Sequence, residues 1–196
     1  MRRILIYAAA LAVVGLAFAF YEFEAHGPAP DASAGIQMGG PFHLVDQNNR
    51  PITEKDLIGK PTMLFFGFTY CPDVCPTTLT DMTAWLKALG PDADKLNVFY
   101  VTIDPERDTA ARLKSYLTAF DPRIRGLTGS PAAIAQAAHD YNVYYQKAPL
   151  QGGDYTMDHS TLIYLIDAKG HMAELVQYHT PNDQVVASLR RLLKGA

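Results

Sequence analysis

Hydrophobic positions along this chain fall into three regimes. From Ile4 to Tyr21 there are 18 residues without a charge, long enough for a membrane span. From Glu24 to Gly40 the chain is rich in glycine, proline and small polar residues, a composition that reads as a flexible tether. From Pro41 to the end, short apolar runs alternate with helically spaced ones, which predicts a single folded domain over 41–196.

Within that domain, Phe42–Val45, the polar turn Gln47-Asn48-Asn49-Arg50 and Ile52 predict a small N-terminal hairpin. The nearly continuous apolar runs Met63–Phe68 and Val98–Ile103 predict strands buried on both faces of a sheet. Leu79, Met82, Leu86 and Leu89, with Trp85 beside them, recur at helical spacing and stop at Gly90. Asp108 is expected to cap a helix carrying Leu113, Tyr116, Leu117 and Phe120, and Ser130-Pro131 to open another. Tyr141–Tyr145 is expected as a short strand. Thr161–Ile166 and Met172–Gln177 are expected to pair across the turn Asp167-Ala168-Lys169-Gly170. Thr180-Pro181 then opens a last helix with Val185, Val186, Leu189, Leu192 and Leu193 on its apolar side. This order predicts an α/β fold, a thioredoxin-like mixed sheet flanked by helices, extended by the N-terminal hairpin.

Charge changes the picture mainly at the N-terminus. Arg2 and Arg3 precede the apolar run and Glu22 and Glu24 follow it, so residues 1–23 are expected as a cytoplasmic tip and membrane anchor, with the domain on the far side. Ala17-Phe18-Ala19 also fits a cleavable signal peptide, although the run is longer than such segments usually are. Elsewhere 17 basic and 20 acidic side chains give a net charge of −3 without a basic cluster, which argues against nucleic acid as a partner. With 48% hydrophobic and 19% charged residues, the chain as a whole does not read as disordered.

The candidate chemistry lies in the only two cysteines. Phe68-Thr69-Tyr70-Cys71-Pro72-Asp73-Val74-Cys75-Pro76 joins the first buried strand to the first long helix, at the carboxyl edge of the sheet where reactive groups collect. Pro76 suggests Cys75 as the helix N-cap, its sulfur lowered in pKa by the helix dipole. Three intervening residues permit either a disulfide or a shared metal ion. Among the six histidines, His159 stands out because Asp158-His159-Ser160 precedes a predicted strand whose entry loop faces the cysteine turn. Spacing alone favours a histidine that merely bonds its own loop. His26, His43, His139, His171 and His179 are expected in structural or exposed positions. Two thiolates and an imidazole would suit Cu(I), with Asp73 or Asp158 available as an oxygen donor or to orient His159.

Together these motifs closely resemble the Sco/SenC family. The resemblance rests on Gly67 to Pro76, on Thr102-Ile103-Asp104-Pro105-Glu106-Arg107-Asp108-Thr109, on Gly126-Leu127-Thr128-Gly129, and on Asp158-His159-Ser160 before Tyr164-Leu165. It implies a membrane-anchored copper chaperone that assists assembly of the CuA centre of cytochrome c oxidase. It implies Cys71, Cys75 and His159 as ligands of Cu(I) and Cu(II), the CuA-bearing oxidase subunit as partner, and other copper carriers or thiol reductants as further contacts. The absence of an Arg- and Ser-rich leader before the apolar run points to a bacterial inner membrane with the domain in the periplasm, rather than to a mitochondrion. The competing function is a thiol:disulfide oxidoreductase using Cys71 and Cys75 as a redox dithiol. The missing proline between Pro149 and Pro181, where thioredoxins carry a cis-proline, weighs against a general one. A peroxiredoxin-like peroxidase ranks lower, because Pro72 stands three residues before Cys75 where a hydroxyl residue is expected.

Overall fold

In a computed structural model of the chain, the described residues are Tyr21 and 38–195. Most of the apolar run and of the segment read as a tether lies outside them. Among the described residues no helix is long and apolar enough to cross a membrane.

The strands are β1 (His43–Asp46), β2 (Pro51–Thr53), β3 (Thr62–Gly67), β4 (Asn97–Thr102), β5 (Ile124–Thr128), β6 (Tyr145–Pro149), β7 (Tyr155–His159), β8 (Ile163–Ile166) and β9 (Met172–Val176). The helices are α1 (Val74–Leu89), α2 (Ala110–Leu117), α3 (Pro131–Asp140) and α4 (Asn182–Lys194). Seven strands form one sheet in the order β2-β1-β5-β4-β3-β8-β9. The central pairs β3–β4 and β4–β5 are parallel, whereas β1–β5, β3–β8 and β8–β9 are antiparallel. This is the thioredoxin-like mixed sheet that the element order predicts.

Every residue of β3 is buried, and β4 is buried from Val98 on, as their unbroken apolar runs require. One face of β3 carries Phe65, which packs on Tyr100, and Gly67, which lies under α1. The other face carries Phe66 against Tyr141, at the end of α3, and Tyr164 of β8. Helices therefore cover both faces. On the α1 side, α4 docks through a hydrogen bond from Trp85 Nε1 to Asn182 Oδ1 at 2.7 Å.

Several local expectations are corrected. Asp108 does not cap α2: the cap is Thr109, whose hydroxyl accepts from Arg112 N–H, and Asp108 is turned into the interior. Cys75 is not the N-cap of α1: the cap is Asp73, and the helix begins at Val74, two residues earlier than a Cys75 cap would place it. Pro76 is tolerated in the first turn because the N–H it lacks would have no intrahelical acceptor there. Tyr141–Tyr145 is not a strand. Tyr141 ends α3 as a buried aromatic, and Tyr145 starts β6. β6 pairs with β7 as a separate two-stranded sheet that the apolar pattern did not reveal. His159 is accordingly the last residue of a strand and not part of a loop.

β5 was also not read as a strand, since Arg125 and Gly126 interrupt its apolar run. Each has a reason: Arg125 Nη2 reaches Asp46 Oδ2 at 3.0 Å, and Gly126 lets α2 approach closely. A Cβ at residue 126 would stand 2.8 Å from Leu117 Cδ1 and 3.1 Å from Leu113 Cβ. Gly126→Ala is therefore expected to destabilise the domain by about 1–3 kcal/mol through overpacking, read as a lowered urea midpoint with an unchanged slope.

Candidate metal centre

The parallel pair β3–β4 places the chain exits after Gly67 and Thr102 side by side. Both exits are tied to the carboxylate of Asp108, which is fully buried. Its oxygens accept from Thr69 N–H at 2.9 Å, Thr69 Oγ1 at 2.6 Å and Thr102 Oγ1 at 2.8 Å. Burial pushes its pKa up, against the lowering effect of these bonds. The cysteine loop thus leaves the sheet from a fixed point two residues before Cys71.

From there the loop turns into α1. Cys71 is half-buried and Cys75 is 0% exposed. Cys75 lies under the sheet because residue 67 is glycine, since a Cβ there would sit 2.8 Å from Cys75 Sγ and 2.8 Å from the Tyr100 ring. Cys75 N–H donates to Cys71 Sγ at 3.4 Å. His159 Nε2 lies 3.7 Å from Cys75 Sγ, and the His159 ring meets Phe68 edge to face at 5.8 Å between centroids.

The two thiols differ sharply in acidity. The Cys71 thiol is held far below the usual range, at about 3, first by the hydrogen bond from the Cys75 thiol, against burial, then by the His159 side chain and by the N–H groups of Cys75 and Asp73. The Cys75 thiol is pushed up, by its bond to the Cys71 sulfur and then by burial. Sequence reasoning assigned the activated sulfur to Cys75. The structure assigns it to Cys71, because the buried Cys75 thiol donates to the more exposed sulfur, and His159 and the N–H groups at the start of the helix add to it.

His159 Nδ1 lies 2.6 Å from the carbonyl oxygen of Ser160. A carbonyl only accepts, so Nδ1 carries a proton and Nε2 is the ring nitrogen that faces the sulfurs. This histidine therefore bonds its own backbone segment and at the same time lies beside the cysteine sulfurs. Cys71 Sγ, Cys75 Sγ and a His159 ring nitrogen lie within 4.8 Å of one another. Among the described residues this is the one metal-competent group, and neither Asp73 nor Asp158 joins it. The backbone of Ser160, rather than a carboxylate, orients the imidazole. His43 opens β1, His139 and His171 contact Asp140 and Asp167, and His179 lies in a turn after β9. His26 falls outside the described residues.

From sequence, Gly67, Tyr100 and Arg107 carry no individual role, and Asp108 is expected only as a helix cap. Gly67 and the Thr102–Thr109 segment border the two buried runs, and that position at the strand exits was the available signal. Beside the sulfurs an open groove of about 370 Å³ is lined by Phe68, Cys71, Pro72, Tyr144, Met157 and His159 among others.

Residues 30–194 match the family model SCO1/SenC. Protein SCO1, mitochondrial, from Saccharomyces cerevisiae is 41% identical over 140 residues, which cover 70% of this chain and 48% of the relative. The SCO2-like protein of Rickettsia felis is 39% identical over 162 residues, covering 82% of this chain and 77% of the relative. The chain spans about half the length of the mitochondrial relatives from Arabidopsis thaliana and Saccharomyces cerevisiae that it matches. Among solved structures, Bradyrhizobium japonicum ScoI with copper bound aligns with a TM-score of 0.75 at 49% identity, covering 79% of this chain and 99% of the other. Yeast Sco1 with copper bound aligns with a TM-score of 0.75 at 37% identity, covering 82% and 90%. With the family model matched over most of the chain and a relative 39% identical over most of both chains, the chain belongs to the SCO1/SenC family.

Proposed function

We propose that this protein is a copper-delivery protein. It holds one copper ion through Cys71 Sγ, Cys75 Sγ and His159 Nε2, and passes it to the CuA-bearing subunit of cytochrome c oxidase. The observation that carries this reading is the convergence of two sulfurs and an imidazole nitrogen within 4.8 Å, with the imidazole already oriented by Ser160. Such a soft, three-coordinate set suits Cu(I), whereas zinc normally takes a fourth ligand. The copper-bound relatives described above support the choice of metal. We propose further that residues 1–23 anchor the protein in a bacterial inner membrane, that 24–40 form a tether and that the domain over 41–196 works in the periplasm. The arginines before the apolar run support that orientation.

Loading and release follow from the unequal thiols. Cys71 offers a ready thiolate at the groove, while Cys75 gives up its proton as the metal arrives. A thiolate of the recipient approaches from the open groove, on the Cys71 side, because the interior closes over Cys75. Ligand exchange then proceeds with the exposed sulfur first and the buried sulfur last.

The same asymmetry favours a second reading, a thiol:disulfide oxidoreductase that reduces the oxidase cysteines. Cys71 thiolate would attack the target disulfide, releasing one target thiolate and forming a mixed disulfide. Cys75, after losing its proton, would attack Cys71 Sγ, releasing the second target thiolate and leaving a Cys71–Cys75 disulfide for an external thiol reductant.

Three measurements check these readings. In competition with a Cu(I) chelator, the reduced soluble domain is expected to hold about one copper, and His159→Ala to lower its affinity roughly 10-fold or more. Equal affinity without the imidazole would remove His159 from the ligand set. Iodoacetamide labelling, followed by peptide mapping, is expected to modify Cys71 at a rate nearly flat from pH 5 to 8, since a thiol titrating at about 3 is already ionised throughout. Cys75 is expected to stay unmodified while the domain is folded. Insulin reduction is expected to be slow, and rapid turnover indifferent to His159→Ala would put the oxidoreductase first.

A further inference from the structure

The hairpin that carries His159 forms no strand pairing with the seven-stranded sheet. Beyond its short chain connections to α3 and β8, its position relative to the cysteines depends on side chains. At the His159 end, the ring packs on Phe68 and Met157 is buried. At the opposite end of β7, polar links run to one short segment after β4. Tyr155 donates its hydroxyl proton to Asp104 Oδ1 at 2.9 Å, and Arg107 Nη1 donates to the Tyr155 carbonyl at 2.9 Å. Arg107 Nη1 also pairs with Asp154 at 3.4 Å, and Lys147 Nζ with Glu106 at 2.7 Å. The last pair is solvent-exposed and contributes little.

Arg107 is the member of this group that also reaches the cysteine loop. Its guanidinium carbon lies 3.7 Å from the Tyr155 ring centroid and 4.7 Å from that of Tyr70, the residue before Cys71. Its Nε donates to Asp104 Oδ2. Asp104 is 1% exposed, and its N–H is bonded to Thr102 Oγ1 at 2.9 Å, so the carboxylate is fixed to the end of β4. Nη2 is buried without a hydrogen-bond acceptor among the described residues, as suits a group flanked by ring faces.

We propose that Arg107, held by Asp104, is a positioning residue that sets the separation between the cysteine loop and His159, and so determines whether the third donor can reach the metal. This inference rests on the reading of His159 as a ligand. Tyr155 and His159 lie four residues apart on one face of β7, a lever of roughly 13 Å. A metal–nitrogen bond tolerates only about 0.2 Å, so a slight tilt at the Tyr155 end takes Nε2 out of range. A planar cation that stacks on rings while donating from Nε to a carboxylate and from Nη1 to a carbonyl suits this task, and lysine does not replace it.

The test compares Arg107→Lys, which keeps a charge opposite Asp104, with Tyr155→Ala. In Cu(I) competition, both are expected to lose about 10- to 100-fold in affinity. Arg107→Lys combined with His159→Ala is expected to lose no more than His159→Ala alone, a non-additivity that general destabilisation does not produce. In the metal-free protein, hydrogen exchange at 155–159 is expected to quicken in Arg107→Lys while β3 and β4 keep their protection. Wild-type affinity in both variants, with His159→Ala weakened, would overturn the inference and leave the copper reading intact; so would additive losses in the double variant. Should His159→Ala bind like wild type, the ligand reading fails instead, and unchanged exchange at 155–159 would then overturn the positioning role as well.

Discussion

The pairing of β3 with β4 fixes the site. Because both strands are buried and parallel, their carboxyl ends leave the sheet together, and Asp108 closes the gap between them by accepting from Thr69 and Thr102. The cysteine loop starts from one exit and the Asp104–Arg107 segment from the other. A buried carboxylate deprived of these donors would be a costly group, so the two exits are locked to each other as firmly as the strands are.

On this frame the two sulfurs acquire different characters from the hydrogen bond between them and from their unequal depth. Gly67 and Tyr100 leave just enough room for Cys75 beneath α1, and the chain between the cysteines brings Cys71 to the rim with N–H groups pointed at it. His159 enters from a different element, with its tautomer chosen by the Ser160 carbonyl. Each donor is thus prepared by the backbone around it. That explains how a shallow site, open to a groove, can still present its donors in a defined order of exposure.

How much of this was legible in the sequence follows the physics of each element. The runs of β3 and β4 were legible because burial on both faces leaves no polar position. The first hairpin was legible from its turn, where Asp46 Oδ1 accepts from Asn48 and Arg50 N–H groups. β6 and β7 were not, because a two-stranded sheet outside the core has no side that must be apolar: Gln146 and Lys147 are exposed, and Met157 is the buried residue of β7. The cap assignment missed by two residues at Cys75, where Asp73 is the cap, and by one at Asp108, where Thr109 is the cap and the carboxylate is internal. The motif of two cysteines and a histidine was visible as residue types. Its geometry was not, because it depends on Tyr70, Arg107 and Tyr155 meeting across 85 positions of chain.

The separation of the donors along the chain has a kinetic side. Cys71 and Cys75 come together as soon as the first turn of α1 forms, but His159 arrives only after β7 has docked, 84 residues later in sequence. An unfolded or half-folded chain therefore offers a metal two sulfurs with no imidazole held in place beside them. Any ion that prefers the complete set binds the finished domain more tightly than its precursors, and draws the folding equilibrium toward itself by mass action. Occupancy of all three donors is then also a report that the polypeptide has completed its fold.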